Sequence, residues 1–174
     1  MRKSFKTSIN VEDSKLLYEK ALRLLDSKSD SPKAVKESLE IFRSLANQGY
    51  APAQCTLGVW YDEGIGITRD YGEALKWYTL AANQNYPEAQ NNLGFLYNNG
   101  IGVTRDYGEA LKWYTLAANQ KFAPAQYAIG ILYENGHGVL RDYGEALKWY
   151  TLSANQGYVT AQEDLDDMYE MTIV

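Results

Sequence analysis

The chain has 174 residues, of which 45% are hydrophobic, and a formal net charge of −5. This apolar content is sufficient for a folded core, yet no apolar run reaches the ~18 residues that a membrane-spanning helix needs. The basic start of the chain lacks the apolar stretch of a secretory signal. We therefore expect a cytoplasmic protein, with a secreted or host-directed role left open.

The first part of the chain, residues 1–50, is predicted to form an atypical helix pair. Apolar residues recur at helical spacing from Ser14 to Leu25, and Pro32 begins a second helix that runs to Gln48. The glycine-rich turn found later in the chain is missing here, so this pair resembles an ordinary tetratricopeptide unit more than the later repeats do. We expect it to cap the structure; the alternative is that Lys15 and Tyr18 extend a binding surface.

The rest of the chain is repetitive. The sixteen residues RDYGEALKWYTLAANQ at 69–84 recur unchanged at 105–120, and with one change at 141–156. A fixed period of this length is the signature of a repeat protein whose neighbouring units share one core. Together with residues 1–50 we expect one solenoid domain. Its parts are repeat one (51–86), repeat two (87–122), repeat three (123–158) and a half repeat that forms a C-terminal capping helix (159–174).

Each repeat is predicted to contain two helices. In repeat one the first helix begins near Pro52 and ends at Gly64, because the glycines at 64 and 66 favour a tight turn. The second helix begins at Asp70, whose spacing to Glu73 is typical of a capping box. The sequence therefore predicts an antiparallel helix pair in every repeat.

A left-handed residue is expected where each second helix ends. Gly49, Asn85 and Gly157 suit that conformation, since glycine and asparagine tolerate a positive φ. Lys121 stands at the same position of repeat two and does not suit it.

The repeated residues resemble a known family, the Sel-one-like repeat, which is a relative of the tetratricopeptide repeat. This resemblance implies an all-α fold, a right-handed α/α superhelical solenoid of helix pairs that acts as an adaptor for other proteins. The cysteine-rich branch of that family has a disulfide in each repeat, which the single Cys55 cannot form, so its secreted location is not implied. The residues that carry the resemblance in repeat one are Ala53-Gln54, Leu57-Gly58, Tyr61, Gly64, Gly66, Arg69-Asp70, Ala74, Trp77-Tyr78 and Ala81-Ala82.

The repeats differ mainly in their first helices, which by the resemblance line the concave surface. We interpret the variable positions on the outer side of these helices as a partner-binding groove. The candidate residues are Cys55, Val59, Asp62 and Glu63 in repeat one, Asn91, Phe95, Asn98 and Asn99 in repeat two, and Tyr127, Ile131, Glu134 and Asn135 in repeat three.

A row of apolar residues, Val59, Phe95 and Ile131, runs through these positions between amides and acids. Apolar anchors with polar flanks are typical of a peptide-binding groove. The alternative is that this position is simply half-buried. The row favours a non-enzymatic scaffold or adaptor that holds a peptide segment or a protein domain. The competing hypothesis is a structural or self-associating module that acts through its convex face or its ends, which the uniform second helices suggest.

Charge is unevenly distributed along the chain. Residues 1–50 carry a net charge of +3 and residues 51–174 carry −8. An acidic surface repels nucleic-acid phosphates, so we expect no nucleic-acid binding and favour a basic partner segment bound to a monomer. The alternative for the acidic end is the polar outer face of a capping helix. Its acidic residues are Glu163, Asp164, Asp166, Asp167 and Glu170.

The sequence offers little for chemistry, and we predict no catalytic, cofactor or metal site. His137 is the single histidine and lies in a turn, while Cys55 is the single thiol and lies two repeats away. The repeated acids Glu73, Glu109 and Glu145 are assigned to helix starts. We therefore expect that the protein is not an enzyme.

Overall fold

The computed structural model describes residues 10–27 and 31–172, and within them it contains nine α-helices and no strand. The predicted all-α repeat fold is confirmed. None of these helices is long and apolar enough to cross a bilayer. The helices are α1 (Val11–Ser27), α2 (Pro32–Asn47), α3 (Ala51–Glu63), α4 (Tyr71–Ala82), α5 (Pro87–Asn99), α6 (Tyr107–Asn119), α7 (Ala123–Asn135), α8 (Tyr143–Ala154) and α9 (Val159–Thr172).

The helices belong to two compact bodies that meet in sequence between Gln84 and Asn85. The N-terminal body contains α1 to α4, and the C-terminal body contains α5 to α9. Within each body, consecutive helices pack against each other as antiparallel neighbours of a repeat do. The odd-numbered helices α3, α5, α7 and α9 are the first helices of the repeats, and α4, α6 and α8 are the second helices.

The second helices begin at aspartate caps, as predicted. The Oδ1 atom of Asp70 accepts hydrogen bonds from the backbone N–H of Gly72 at 2.9 Å and of Glu73 at 3.0 Å. The carboxylate of Glu73 accepts from Lys76 Nζ and from Trp77 Nε1 instead of reaching back to the cap. Only the forward half of the predicted capping box is therefore present.

The turn between the helices of a repeat depends on glycine. Gly64 ends α3 with φ of +77°, and Gly66 follows with φ of +66°. A Cβ atom on Gly66 would lie 2.5 Å from Cγ1 of Val35, so the turn packs directly on α2. The predicted connection is confirmed, and its second glycine is needed for close packing as well as for its backbone angle.

The two helices of a repeat approach each other closely. Gly58 lies against the ring of Tyr78, where a Cβ atom would come within 2.6 Å of Cδ1. The same pairing joins Gly94 to Tyr114 and Gly130 to Tyr150. Each ring is buried, so the glycine creates the space that the aromatic side chain fills.

The ends of the second helices differ from the prediction at one residue. Lys121 adopts φ of +62°, close to the +60° of Asn85 in repeat one. The sequence analysis judged lysine unsuited to this conformation, because a Cβ atom is disfavoured there. The connection to the next first helix nonetheless imposes the same backbone at every repeat, so repeat two places lysine in a strained position.

A ladder of glutamines, which the sequence analysis did not single out as structural, joins neighbouring helices. Gln54 is buried and donates from Nε2 to the carbonyl oxygen of Ala46 at 3.1 Å, while its Oε1 accepts from Gln84 Nε2 at 2.7 Å. In the C-terminal body, Gln126 makes the same two kinds of bond, with Ala118 and Gln156. The buried amides of Gln54 and Gln126 are thereby hydrogen-bonded, whereas a buried amide left unpaired would be costly.

Candidate functional site

The row of apolar residues lies at the middle of the first helices, with unequal exposure. Val59 and Ile131 are half-buried, because each packs against the core cluster of its own body. Phe95 differs from both: 49% of its surface is exposed. About half of the apolar surface of this phenylalanine is therefore available to pack against a partner.

Tyr127 connects α7 with α9 in the C-terminal body. Its hydroxyl donates a hydrogen bond to Oδ2 of Asp164 at 2.8 Å. Its ring packs against Tyr150, at 5.4 Å between centroids, and against Tyr158, at 5.3 Å. The half-buried Tyr127 is therefore held in place on three sides, which gives this part of the surface a fixed shape.

Glu134 lies on the same helix as Tyr127 and completes the cluster. Its Oε2 accepts a hydrogen bond from the fully buried Tyr150 hydroxyl at 2.7 Å. Burial is the main cause that raises the pKa values of Tyr127 and Tyr150 far above the ordinary value, and hydrogen bonds to Asp164 and Glu134 add to it. Both tyrosines therefore remain protonated donors at any physiological pH, and the two carboxylates stay oriented.

Repeat two has an amide, Asn98, where repeat three has the acid Glu134. The Nδ2 of Asn99 donates to the carbonyl oxygen of Phe95 at 2.9 Å, and Asn135 makes the same bond to Ile131 at 2.9 Å. Asn91 donates to its neighbour Asn92 at 3.5 Å. The Oδ1 of Asn98 is buried, and no described group donates to it. These amides leave the surface around Phe95 uncharged.

The N-terminal body holds the three remaining candidates. Glu63 is exposed, while Asp62 is half-buried and accepts from the Tyr78 hydroxyl at 3.5 Å. Burial raises the pKa of Asp62, against the opposing effects of this hydrogen bond and of the Arg69 charge. Cys55 was expected to face outward, and this expectation is wrong. Only 6% of its surface is exposed, because neighbouring side chains cover the side of α3 on which it lies.

Tyr18 of α1 repeats the arrangement of Tyr127 inside the N-terminal body. Its hydroxyl lies 2.7 Å from Oγ1 of Thr56, and its ring packs edge-on against Tyr50 at 5.7 Å. Thr56 and Asp164 occupy equivalent positions of the 36-residue period, as do Tyr50 and Tyr158. The N-terminal body thus has a threonine where Tyr127 meets an acid. The use of Tyr18 in a binding surface stays a prediction, as does the capping role of residues 1–50.

Asp164 was interpreted from sequence only as part of a polar cap. The structure adds it to the candidate surface, because its carboxylate meets the Tyr127 hydroxyl. The repeat register adds Glu163 and Asp167 of α9, which are the equivalents of Tyr127 and Ile131 in α7. We call the surface formed by the outer residues of α5, α7 and α9 the first-helix surface. Its members are Asn91, Phe95, Tyr127, Ile131, Glu134, Glu163, Asp164 and Asp167.

The described residues offer no assembly suited to metal binding: none of them form a group of three or more histidine, cysteine or acidic side chains. The ring of His137 stacks on that of Tyr107, with 4.4 Å between centroids and 10° between planes. Cys55 is buried in the other body. The first-helix surface presents exposed apolar area, oriented carboxylates and aromatic rings.

Comparison with known proteins agrees with this description. A family model for the Sel1 repeat matches residues 51–86, 87–122 and 123–158. A protective antigen of uropathogenic Escherichia coli with an SLR fold is 36% identical, with a TM-score of 0.83, over 94% of this chain and 37% of that one. A Sel1 repeat protein from Oxalobacter formigenes is 32% identical, with a TM-score of 0.77, over 88% of this chain and 59% of that one.

A more distant structure shows the fold alone. Cysteine rich protein B of Helicobacter pylori is 17% identical, with a TM-score of 0.61, over 79% of this chain and 99% of that one. No curated protein matches the chain. The chain spans less than two thirds of the length of the E. coli and Oxalobacter proteins.

Proposed function

Because the chain belongs to the Sel1 repeat family, we propose that it is a non-enzymatic scaffold that holds a segment of another protein on its first-helix surface. Sel1 repeat proteins generally mediate protein–protein interaction and are typically not catalytic. The first helices carry the variation between repeats, whereas the second helices are almost identical. A surface that differs from repeat to repeat is able to distinguish the residues of an asymmetric partner.

The observation that carries this proposal is the exposure of Phe95. Its neighbours Asn91 and Asn99 are polar and uncharged, so the ring stands as an apolar centre within a hydrogen-bonding rim. Aromatic residues in such a setting contribute a large share of the binding free energy at protein interfaces. Tyr127 and Ile131 continue the surface on α7 with two further partly buried apolar side chains.

The test uses a displayed library of random twelve-residue peptides selected on the wild-type protein. Enriched peptides are synthesised, and their Kd values are measured for wild type and for Phe95→Ala. We expect Phe95→Ala to weaken binding by about tenfold or more, the scale of an interface hot spot. The matched control is Leu116→Ala on α6, which removes a side chain that is 39% exposed and lies on a second helix.

Binding that is insensitive to Phe95→Ala but lost in Leu116→Ala would contradict the proposal. Circular dichroism melting curves of both variants establish that each one is folded. Since Phe95 and Leu116 both lie at the surface, neither substitution opens an enclosed core cavity.

Self-association is the second candidate function, and one observation favours it. Leu80, Leu116 and Leu152 occupy the same position of successive second helices and are 42%, 39% and 47% exposed. Exposed leucines that recur at each repeat form a ready contact for a second copy. Sedimentation velocity from micromolar to millimolar concentration tests this: a mass that grows with concentration and is reduced by Leu116→Glu with Leu152→Glu supports it.

A further inference from the structure

The charged residues of the C-terminal body are segregated between its two kinds of helix. The first helices α5, α7 and α9 contain no lysine, arginine or histidine. All five basic residues of this body lie on second helices or in the connections that flank them, where four acids accompany them. The basic residues are Arg105, Lys112, Lys121, Arg141 and Lys148, and the seven acids of the first helices are Glu88, Glu134, Glu163, Asp164, Asp166, Asp167 and Glu170.

The basic residues do not neutralise the first-helix acids. Lys112 pairs with Glu109 at 3.1 Å and Lys148 pairs with Glu145, so both described ion pairs of this body lie within a second helix. Glu163 and Asp167 are exposed, and no described side chain forms an ion pair or a hydrogen bond with either of them. Their negative charge is therefore available to a partner.

Equivalent positions of the first-helix surface are apolar in α7 and acidic in α9. Glu163 and Asp167 of α9 stand one 36-residue period after Tyr127 and Ile131 of α7. Phe95 is the first member of the apolar row in the C-terminal body, and it is the most exposed residue of the row. The surface thus changes in character from apolar at α5 to acidic at α9.

Tyr127 lies between the apolar part of the first-helix surface on α5 and its acidic part on α9, in a rigid setting that suits a cation. Tyr127 bonds to Asp164 through its hydroxyl and packs between two other tyrosine rings. A lysine or arginine side chain bound here meets an oriented carboxylate beside the half-buried Tyr127. Glu134 on the same helix adds a second oriented carboxylate.

We propose that the segment held on the first-helix surface is basic, with an apolar residue followed by at least two lysines or arginines. This proposal rests on the proposed scaffold function and names the chemistry of its partner. The apolar side chain packs on Phe95 and Ile131. The basic side chains lie against Glu163, Asp164 and Asp167.

The test extends the random-peptide selection on the wild-type protein. We expect enriched peptides to contain about two or more lysines or arginines and an apolar residue. In the double variant Glu163→Gln/Asp167→Asn, the Kd of these peptides should rise about three- to tenfold, the scale of two exposed ion pairs. Raising the salt concentration should reduce the difference between wild type and variant.

A matched control separates a local contact from the effect of net charge. The variant Asn119→Lys/Asn155→Lys changes the charge by the same amount, at exposed positions that end α6 and α8. Lysine is well tolerated at a helix C-terminus. We expect this control to alter the Kd less than about twofold, within the usual small effect of a remote surface charge.

Each contrary outcome has its own meaning. Enriched peptides that lack basic residues but depend on Phe95 would overturn the basic partner and leave the scaffold function standing. An equal loss of affinity in the control variant would also overturn the specific site. If the library yields no enriched peptide, both the scaffold surface and its basic partner are refuted.

Discussion

A methyl group on Gly94 would lie 2.7 Å from Cδ1 of the buried Tyr114 ring, closer than two carbon atoms approach without repulsion. The same pair occurs as Gly58 with Tyr78 and as Gly130 with Tyr150, so every complete repeat depends on it. The absence of a side chain on one helix sets how closely the other helix packs. This distance in turn determines where the outer side of the first helix presents its variable residues.

Gly94→Ala should therefore destabilise the protein by about 1–3 kcal/mol, the usual cost of overpacking a core. The loss should appear even though alanine is favoured over glycine within a helix by about 1 kcal/mol. Urea unfolding followed by circular dichroism measures the change. Gly108→Ala is the control, because its Cβ would meet only the Asp106 carboxylate at 3.2 Å. Equal effects of the two substitutions would contradict the packing argument.

Lys121→Gly should stabilise the protein by about 0.5–1 kcal/mol. Its φ of +62° strains any residue with a Cβ, and glycine removes this strain at the cost of a more flexible unfolded chain. Lys112→Gly, the same exchange inside α6, should instead destabilise by about 1 kcal/mol. Thermal melting of the two variants checks the opposite signs. A Lys121→Gly variant that melts below wild type would show that the lysine makes a stabilising contact.

Gln126→Met should destabilise the protein by about 1–3 kcal/mol, although it preserves most of the side-chain volume. The change removes two hydrogen bonds, the one that Gln126 accepts from the Gln156 amide and the one that it donates to the Ala118 carbonyl, each worth about 0.5–1.5 kcal/mol. Gln162→Met, at an exposed position of α9, should change stability by less than about 0.5 kcal/mol. Chemical denaturation compares them. A harmless Gln126→Met would mean that the glutamine ladder contributes nothing to stability.

Asp62→Asn should raise the melting temperature at pH 7, because burial raises the pKa of the Asp62 carboxyl in the folded protein. A raised folded pKa means that the ionised group opposes folding at neutral pH. That effect vanishes once the carboxyl is protonated in both states, below about pH 4. The gap in melting temperature between variant and wild type should close as the pH falls. Asparagine retains an oxygen that accepts from Tyr78.

Glu63→Gln is the control for that pH dependence, since it removes the same charge from an exposed neighbour on α3. Glu63→Gln should leave the melting temperature nearly unchanged, both at pH 7 and below about pH 4. If the difference in melting temperature between Asp62→Asn and wild type becomes larger in acid, the ionised Asp62 stabilises the fold and the prediction is wrong.

Much of the fold was predictable because its signals are local. The 36-residue period placed the repeats, and the prolines, the aspartate caps and the paired glycines placed the helix boundaries within a few residues. A proline in the first turn or a glycine with positive φ constrains the backbone wherever it stands. The roles of Gly58 and Tyr78 were predictable for a related reason, since one small and one large residue recur on facing helices.

The candidate surface was predictable only in outline. Variation between repeats identified the first helices, yet Cys55 is buried while Phe95 is exposed, and no periodicity distinguishes these two positions. Their exposure depends on which side chains of other helices cover them. The groove residues remain a prediction, with Phe95 as the one whose accessibility best supports it.

By itself, the sequence determined the all-α repeat architecture, because helix periods and turn residues act over a few neighbouring positions. Tertiary structure alone decided that Tyr127 bonds to Asp164, that Gln126 bridges two helices, and that Lys121 adopts a left-handed backbone. These features arise where residues some thirty positions apart meet, or where the path to the next helix imposes an angle on whichever residue stands there. Such contacts depend on the distances between packed helices, which a linear pattern does not contain.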